Sequence, residues 1–572
     1  MLTSLQPDPD AAARLHALLQ TALANGEHVL RLPPGEHHIH RSYLPERFCH
    51  VSNNDHGLKR ILFDLDGAED FVLDGEGARL IMHGEVLPVR IGNSRGVTIR
   101  NLVIDWERPA FSQATVTAGG PGWLEFIADP DRYPMRVDQG RLIAYDSFGW
   151  NTEALWNLLP FDAERGEVSS TMENWHLSRL HQASDLGGGR FRLVAAFAES
   201  YPVGTPIVLM HGNRVAPGVW IEESVQVLIQ DVTIHHAMAM GLVAQVSRDV
   251  TVERLRVVPS DDRLFSSWVD AVHFVDCHGA TRLLDCELRG QFDDAVNIHA
   301  SFSRVVAQAD PCRVRIQAVH AQRFGPSAAT PGAGLAFYRH ADMRRVLVTR
   351  IVSTSQLNQE FCDLVLAEPV PSDAGALICS RYDPASTVEV RGCRFGANRG
   401  RGILINLEHH IVIDGNHFHV SGRAIESMPD ANYWWEGSPV QDLVIRNNHF
   451  DDCCFGPCGN DLIYIGPELP DGADPRQGPF RTTADSGSTA EMLPVLSNIR
   501  ITGNTISHHR GRLLHAHGVQ ELHFSGNRLE PSSRYPMEPW AEAVDIGPGV
   551  VSASVELPTG WGQLVHRGSA KT

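Results

Sequence analysis

A chain of 572 residues is too long for one compact core, which stops growing near ~250–300 residues, so it holds several domains or winds as a solenoid that grows by adding coils. It is 43% apolar and 20% charged, ordinary for a soluble globular protein. Its net charge of −19 argues against nucleic acid and anionic membranes, whose binding needs Lys and Arg, and leaves a neutral sugar as the easier partner. No apolar run of ~18 residues predicts a membrane helix. The N-terminus lacks a basic start followed by an apolar block, so no export signal is read and a cytoplasmic location is expected. The ten cysteines show no disulfide rhythm and complete no zinc pattern, so neither metal nor cofactor is expected.

In chain order, Asp8 and Pro9 offer a cap and first turn for a helix with apolar residues at Leu15, Leu18, Leu19 and Leu23, ended by Gly26. This amphipathic helix is expected to cover the first coil of a solenoid. His28 to Leu32, before Pro33 and Pro34, reads as the first strand.

A repeat then dominates, with apolar residues at x, x+2, x+5 and x+7. Copies begin at Val97, Val227, Val250, Thr281, Val388, Ile411, Leu443, Ile499 and Leu522. Three neighbouring pairs stand 23 residues apart: Val227 and Val250, Val388 and Ile411, Ile499 and Leu522. Alternation of period two means strand, and the step from x+2 to x+5 places a bend. The period predicts an all-β fold: a right-handed parallel β-helix of about three short strands per coil. Asn416, Asn448, Asn504 and Asn527 all fall at x+5, where stacked amides form a structural ladder.

The rhythm lapses over 112–212 and 302–385, where alternating segments such as Arg141 to Tyr145 and Arg345 to Thr349 lie between turns. Both read as inserted antiparallel β domains, barrel-like. The organisation is then a helix cap and first coils over 1–111, the first insertion, coils over 213–301, the second insertion, and C-terminal coils with a tail over 386–572. From Pro531 onward no repeat is readable. Two coils are enlarged, with bulges at 259–268 and 428–438, and such bulges suggest binding loops.

The chemistry concentrates between Asp270 and Ala300. Asp270 to Phe274 is answered by Asp294 to Ile298, with Asp293 beside it. Arg401 to Ile405, Arg423 to Ser427 and Asp461 to Ile465 align with them. With Val272, Val296, Ile403 and Ile425 inward, alternation sends His273, Asn297 and Glu426 to an outer polar face edged by the three aspartates, Arg401 and Arg423. Stacked strands lie ~4.8 Å apart, so Asp270 and Asp294 become neighbours that raise each other's pKa and grip one water. That is too close for the acid and base of an inverting glycosidase, ~6.5–9.5 Å apart. Asp293, turned another way by the bend, is then the proton donor, and all three are expected at one spot facing water. Tyr433, Trp434 and Trp435 offer ring faces for a sugar, with Glu436 accepting from its hydroxyls.

The sequence resembles glycoside hydrolase family 110, the α-1,3-galactosidases. The likeness spans most of the chain and includes Val51 to Gly57, Asp105 to Pro109, Asp270 to His299, Arg399 to Leu404 and Asp430 to Trp434. The resemblance implies a β-helix with two barrel insertions and a metal-independent, inverting, exo-acting hydrolase. It implies Asp293 as general acid and Asp270 with Asp294 as the base pair. His273, Asn297, His299, Arg401, Glu426, Asn432, Trp434, Trp435 and Glu436 are the expected sugar-binding set. The expected partner is an oligosaccharide or glycoconjugate with terminal α-galactose, of blood-group-B type or linear; the chain could dimerise along a solenoid face. The alternatives are a polygalacturonase-like β-helix hydrolase, which should show a Gly-His-Gly turn that these coils lack, and a non-catalytic glycan-binding β-helix.

Overall fold

The computed structural model describes residues 11–177, 182–195, 200–260, 262–325, 329–371, 376–456, 461–470, 492–507, 511–535, 542–557, 559–560 and 562–566. Two long sheets wind around one apolar core: a parallel 21-stranded sheet carrying the repeat, and beside it a 13-stranded sheet that is parallel except for the edge strand Glu46–Cys49. The repeat copies are stacked in register, Val227 on Val250, Leu283 on Val390, Ile411 on Leu443 and Ile499 on Leu522. The apolar template positions are buried, as the period requires.

The bend inside each copy has one cause. Position x+4 takes the left-handed conformation in every copy, with φ between 51° and 67°. It holds Gly392, Gly415, Gly503 and Gly526, or Asn101, Asp231, Asp285 and Asn447, the residue types that reach this region at least cost. Arg254 is the exception, and its guanidinium is clamped to Asp231 of the preceding coil.

The helix runs from Ala11 to Ala24 and buries Ala12, Leu15, Leu19 and Ala22 against the first coil, while Leu18 faces solvent. The expected cap at Asp8 and Pro9 lies outside the described residues. The tail that showed no repeat continues the solenoid: Glu542–Ile546 pairs with Arg512–Ala516, Ser552–Val555 with Glu521–Ser525, and Gln563–His566 with Glu542–Ile546. Its apolar residues are too few and too irregular to show the template.

Both insertions leave and return at one place. Phe111–Gly120 pairs with Pro206–His211 in an eight-stranded antiparallel sheet, and three further strands form a small separate sheet. Ser303–Asp310 pairs with Leu377–Tyr382 and closes a six-stranded antiparallel barrel. Because each stem is antiparallel, the coils on either side still pair directly: Ile99 lies on Ile229 and Leu283 on Val390.

The asparagines form the expected ladder. Asn416, Asn448 and Asn504 each donate Nδ2–H to the next amide oxygen at 2.9–3.0 Å and to a backbone carbonyl. Each oxygen also accepts a backbone N–H. Cys393 and Cys286 continue the column as thiols. Removing a buried rung orphans several groups at about 1–3 kcal/mol each. Asn448→Ala is therefore expected to lower the thermal midpoint by several degrees, and Asn527→Ala, at the column's end, by less; thermal melts of the two variants check this.

Candidate active site

The site is built on the 13-stranded sheet. There Val272 lies on Val296, Val296 on Ile403, Ile403 on Ile425 and Ile425 on Ile463, so His273, Asn297, Leu404, Glu426 and Tyr464 form the neighbouring row. Asp270, Asp294 and Arg401 stand just before these strands in successive coils. Asp293 joins them, and one oxygen from each aspartate lies within 4.8 Å of the others. The convergence across 24 residues of chain follows from the register alone.

The expectation that all three face water is corrected. Asp270 and Asp294 have side chains only 7% and 2% exposed, whereas Asp293 is 32% exposed. Asp270 accepts the Asp294 backbone N–H on Oδ1 at 3.2 Å and sets Oδ2 2.8 Å from His273 Nδ1. Asp294 Oδ1 accepts both the backbone N–H and Nε–H of Arg401, at 2.8 and 2.9 Å. Burial and the neighbouring Asp293 charge push Asp270 well above the usual carboxylate range. Burial, with Asp293 and Asp270 adding and Arg401 opposing, pushes Asp294 up to about 8.

Gly400 explains how the acid doublet fits. A Cβ there would meet the Asp293 carbonyl carbon at 2.6 Å and Asp294 Oδ1 at 2.8 Å. The Asn398 side chain and Gly400 N–H both donate to the Asp293 carbonyl, fixing the turn. Arg401 then reaches Glu426 at 2.6 Å, and Glu426 is also clamped by Arg423. The two guanidiniums outweigh burial and hold Glu426 below its ordinary value.

Two segments from elsewhere close one end of the floor. In the 428–438 bulge, Asp430 accepts the backbone N–H groups of residues 432–435 and shapes a tight loop that presents Glu436. Glu436 accepts from Asn297 at 3.2 Å and from Asn53 at 2.6 Å. Asn53 sits at φ 57° in the 50–56 turn, its N–H bonded to Gln322 of the barrel and its carbonyl to Arg214. Burial opposes charge on Glu436, but the His299 and His273 rings when protonated, the Asn297 amide and Arg323 outweigh it and hold its pKa below the ordinary value.

This cover changes the sugar-binding set. His273, His299, Asn297 and Glu436 are buried where the two loops meet the strands, and Glu426 is buried against Arg401 and Arg423, so the outer face of these strands is not solvent. Trp435 is 1% exposed, packed with Phe302, Tyr338 and Leu469 under the barrel and stacked on His340. It anchors the loop and offers no ring to a ligand. Asn432 ties the loop to the Leu469 carbonyl. Arg401 and Trp434 remain partly exposed, with Trp434 between His320 and the Arg214 guanidinium. Asn53, Arg214, His320 and Arg323 were not expected; they lie in junctions without periodicity, and the polar cluster Ser52 to His56 was the one available signal. The other bulge, 259–268, is pinned by Arg263 to Asp105 at 2.5 Å and by Trp268 to the His211 carbonyl.

His273, His299 and Glu436 bring one donor atom each within 4.8 Å, close enough for a cation. The two rings, however, already face each other through Nε2 at 3.0 Å, and both Glu436 oxygens are taken by amides.

Residues 313–376 match the family described as GLAA-B beta-barrel domain II, within the closed barrel. A protein named alpha-1,3-galactosidase B from Bacteroides thetaiotaomicron is 29% identical over 550 residues, covering 92% of this chain and 85% of its own. Alpha-1,3-galactosidase A from Shewanella woodyi is 27% identical, covering 89% and 81%. Among solved structures, the Azotobacter vinelandii mannuronan C-5 epimerase AlgE6 A-module covers 96% of this chain and 97% of its own at 11% identity, with a TM-score of 0.39. The chain is a homologue of proteins named α-1,3-galactosidase over 92% of its length, and the resemblance to glycoside hydrolase family 110 read from its motifs stands.

Proposed function

We propose that the protein is an exo-acting glycoside hydrolase that releases terminal α-1,3-linked galactose with inversion. The observation that carries this reading is the convergence of Asp270, Asp293 and Asp294, in a chain whose relatives are named α-1,3-galactosidases. Asp293, the exposed acid, protonates the departing glycosidic oxygen. Asp294 and Asp270, at the sealed floor, hold the attacking water, and the pair accepts its proton at Asp270. Among the described residues no hydrogen bond is made to Asp294 Oδ2, which is left for that water. Side chains 7% and 2% exposed suit a water molecule and not the anomeric carbon of a sugar ring. The loop contact from Asn53 through Glu436 to Asn297 blocks one end of the floor, which suits a chain end over a through-running polymer. Arg214 at the rim supplies a cation for the sugar, its guanidinium held over the Trp434 ring.

One observation favours a second reading. The nearest aspartate oxygens lie within 4.8 Å, closer to the ~5–5.5 Å of retaining enzymes than to the ~6.5–9.5 Å of inverting ones. Retention needs an ionised nucleophile that touches the sugar, which the burial of Asp270 and Asp294 disfavours. Incubation with linear and branched α-1,3-galactosides, followed by proton NMR, is expected to show β-galactose first; α-galactose appearing first sinks the inverting assignment.

Asp293→Asn is expected to lower kcat by at least ~10³-fold, within the range of a lost proton donor, while binding of the disaccharide by calorimetry persists. Loss of binding with unchanged turnover of the bound fraction contradicts the assigned role.

The buried acids also set a pH dependence of stability. Asp294 titrates near 8 when folded and near ~3.9 when unfolded. Between those values the folded state holds a proton that the unfolded chain has released, so stability falls as pH rises through this window. Asp294→Asn is expected to raise the thermal midpoint at pH 8 by a few degrees, with the gain shrinking towards pH 4; an unchanged midpoint at both pH values counters the assignment.

A further inference from the structure

Two histidines on the floor have no access to a sugar: His273 and His299 are fully buried. Their hydrogen bonds fix their protons. His299 Nδ1 lies 2.7 Å from the Ala300 carbonyl oxygen, which only accepts, so that nitrogen carries the proton and Nε2 of the neutral ring is bare. His273 Nε2 lies 3.0 Å from this bare nitrogen and therefore donates to it. His273 Nδ1 is then bare as well, and it faces Asp270 Oδ2 at 2.8 Å. The proton in that contact belongs to Asp270. At the far end, His299 Nε2 stands 3.6 Å from Glu436 Oε1, a carboxylate oriented by Asn53 and Asn297.

We propose that Asp270, His273 and His299 form a proton relay that carries the proton of the attacking water away from the floor to a site beside Glu436. The relay rests on the hydrolase reading above and makes His273 and His299 positioning residues.

As the water oxygen bonds to the anomeric carbon, its proton goes to Asp270 Oδ1, where the long 3.2 Å bond from Asp294 N–H leaves a lone pair. The Oδ2 proton of Asp270 passes to His273 Nδ1, and the Nε2 proton of His273 passes to His299 Nε2. Asp270 and His273 each gain one proton and lose one; His299 ends as a cation paired with Glu436. The electron pair of the glycosidic bond leaves with the oxygen that Asp293 protonates.

The surroundings support the resting state. Burial pushes Asp270 well above the usual carboxylate range, with Arg214 and Arg401 opposing, in the same sense as the proton that the hydrogen-bond chain assigns to it. Burial brings both imidazoles down to about 4, with Arg323 pushing the same way and Glu436 opposing, so both rings start neutral.

His273→Gln and His299→Gln test the relay, because a glutamine amide can accept from one neighbour and donate to the next but cannot pass a proton on. Each variant is expected to lose about 10²-fold in kcat with KM within about twofold and an unchanged thermal midpoint. Infrared difference spectra of wild type against Asp270→Asn at pH 7 are expected to show the C=O stretch of a protonated carboxyl; this holds without substrate and even if the glutamine variants fail to fold. Undiminished kcat in the variants, or an ionised Asp270 at pH 7, overturns the relay while an active wild type keeps the hydrolase reading. A wild type that releases no galactose from any α-1,3-galactoside overturns both.

Discussion

Everything in this protein depends on the inter-coil register of the 13-stranded sheet. A parallel ladder places each residue directly beside its partner in the next coil, ~4.8 Å away. Asp270 and Asp294 are thus held together by backbone bonds that neither side chain has to make. Two carboxyls brought this close out of water repel one another and lose hydration, and a free chain would separate them. Here the register cannot slip, since a one-residue shift would turn the buried valines and isoleucines of every coil outward. The hydrophobic core of the solenoid therefore supplies the free energy that keeps the acids together.

The charge this leaves is distributed along the same row. Arg401, bonded to Asp294, begins an alternating chain of ions that runs through Glu426, Arg423, Asp461 and Arg512 to Asp545, one or two members per coil. Buried ion pairs add little stability over apolar packing, but removal of one partner strands a charge. Each member therefore fixes the next, and Arg401, held from both sides, presents its Nε and backbone N–H to one oxygen of Asp294 only. The ladder acts as a jig for the site more than as a source of stability.

The solenoid and the acid coils were legible because their signals are local and periodic. The x, x+2, x+5, x+7 template and the residues allowed at the left-handed x+4 bend repeat in coil after coil, and the outward turn of His273, Asn297 and Glu426 from the strand core follows from alternation. What covers that face was not legible. Asn53 meets Glu436 across 383 residues of chain, and Arg214 and Arg323 come from junctions where no period exists. Trp434 and Trp435 are adjacent and alike in sequence, yet one reaches the rim and the other lies in the core. That difference is set by Phe302, Tyr338 and Leu469, which belong to other segments. The tail was lost for the opposite reason: its strands pair regularly, but its side chains are too small and polar to mark the template.

The place of the second insertion follows from the same physics. The barrel leaves the solenoid at Ser303, four residues after His299, and its Tyr338 and Ile378 pack with Phe302 and Trp435. That small core grips the 428–438 loop from behind, and the loop's neck is stitched to the coil that carries the aspartates by Phe302 N–H to the Trp435 carbonyl and Gly437 N–H to the Ala300 carbonyl. Arg323 and Gln322 of the same insertion then reach Asp276 and the Asn53 turn. Without the barrel, Glu436 would sit on an exposed bulge with nothing to hold its carboxylate over His299, and the floor histidines would meet water. An insertion at this point in the chain is thus a structural part of the site: it supplies the low-dielectric roof under which a carboxyl at Asp270 stays protonated and two neutral imidazoles can stand end to end.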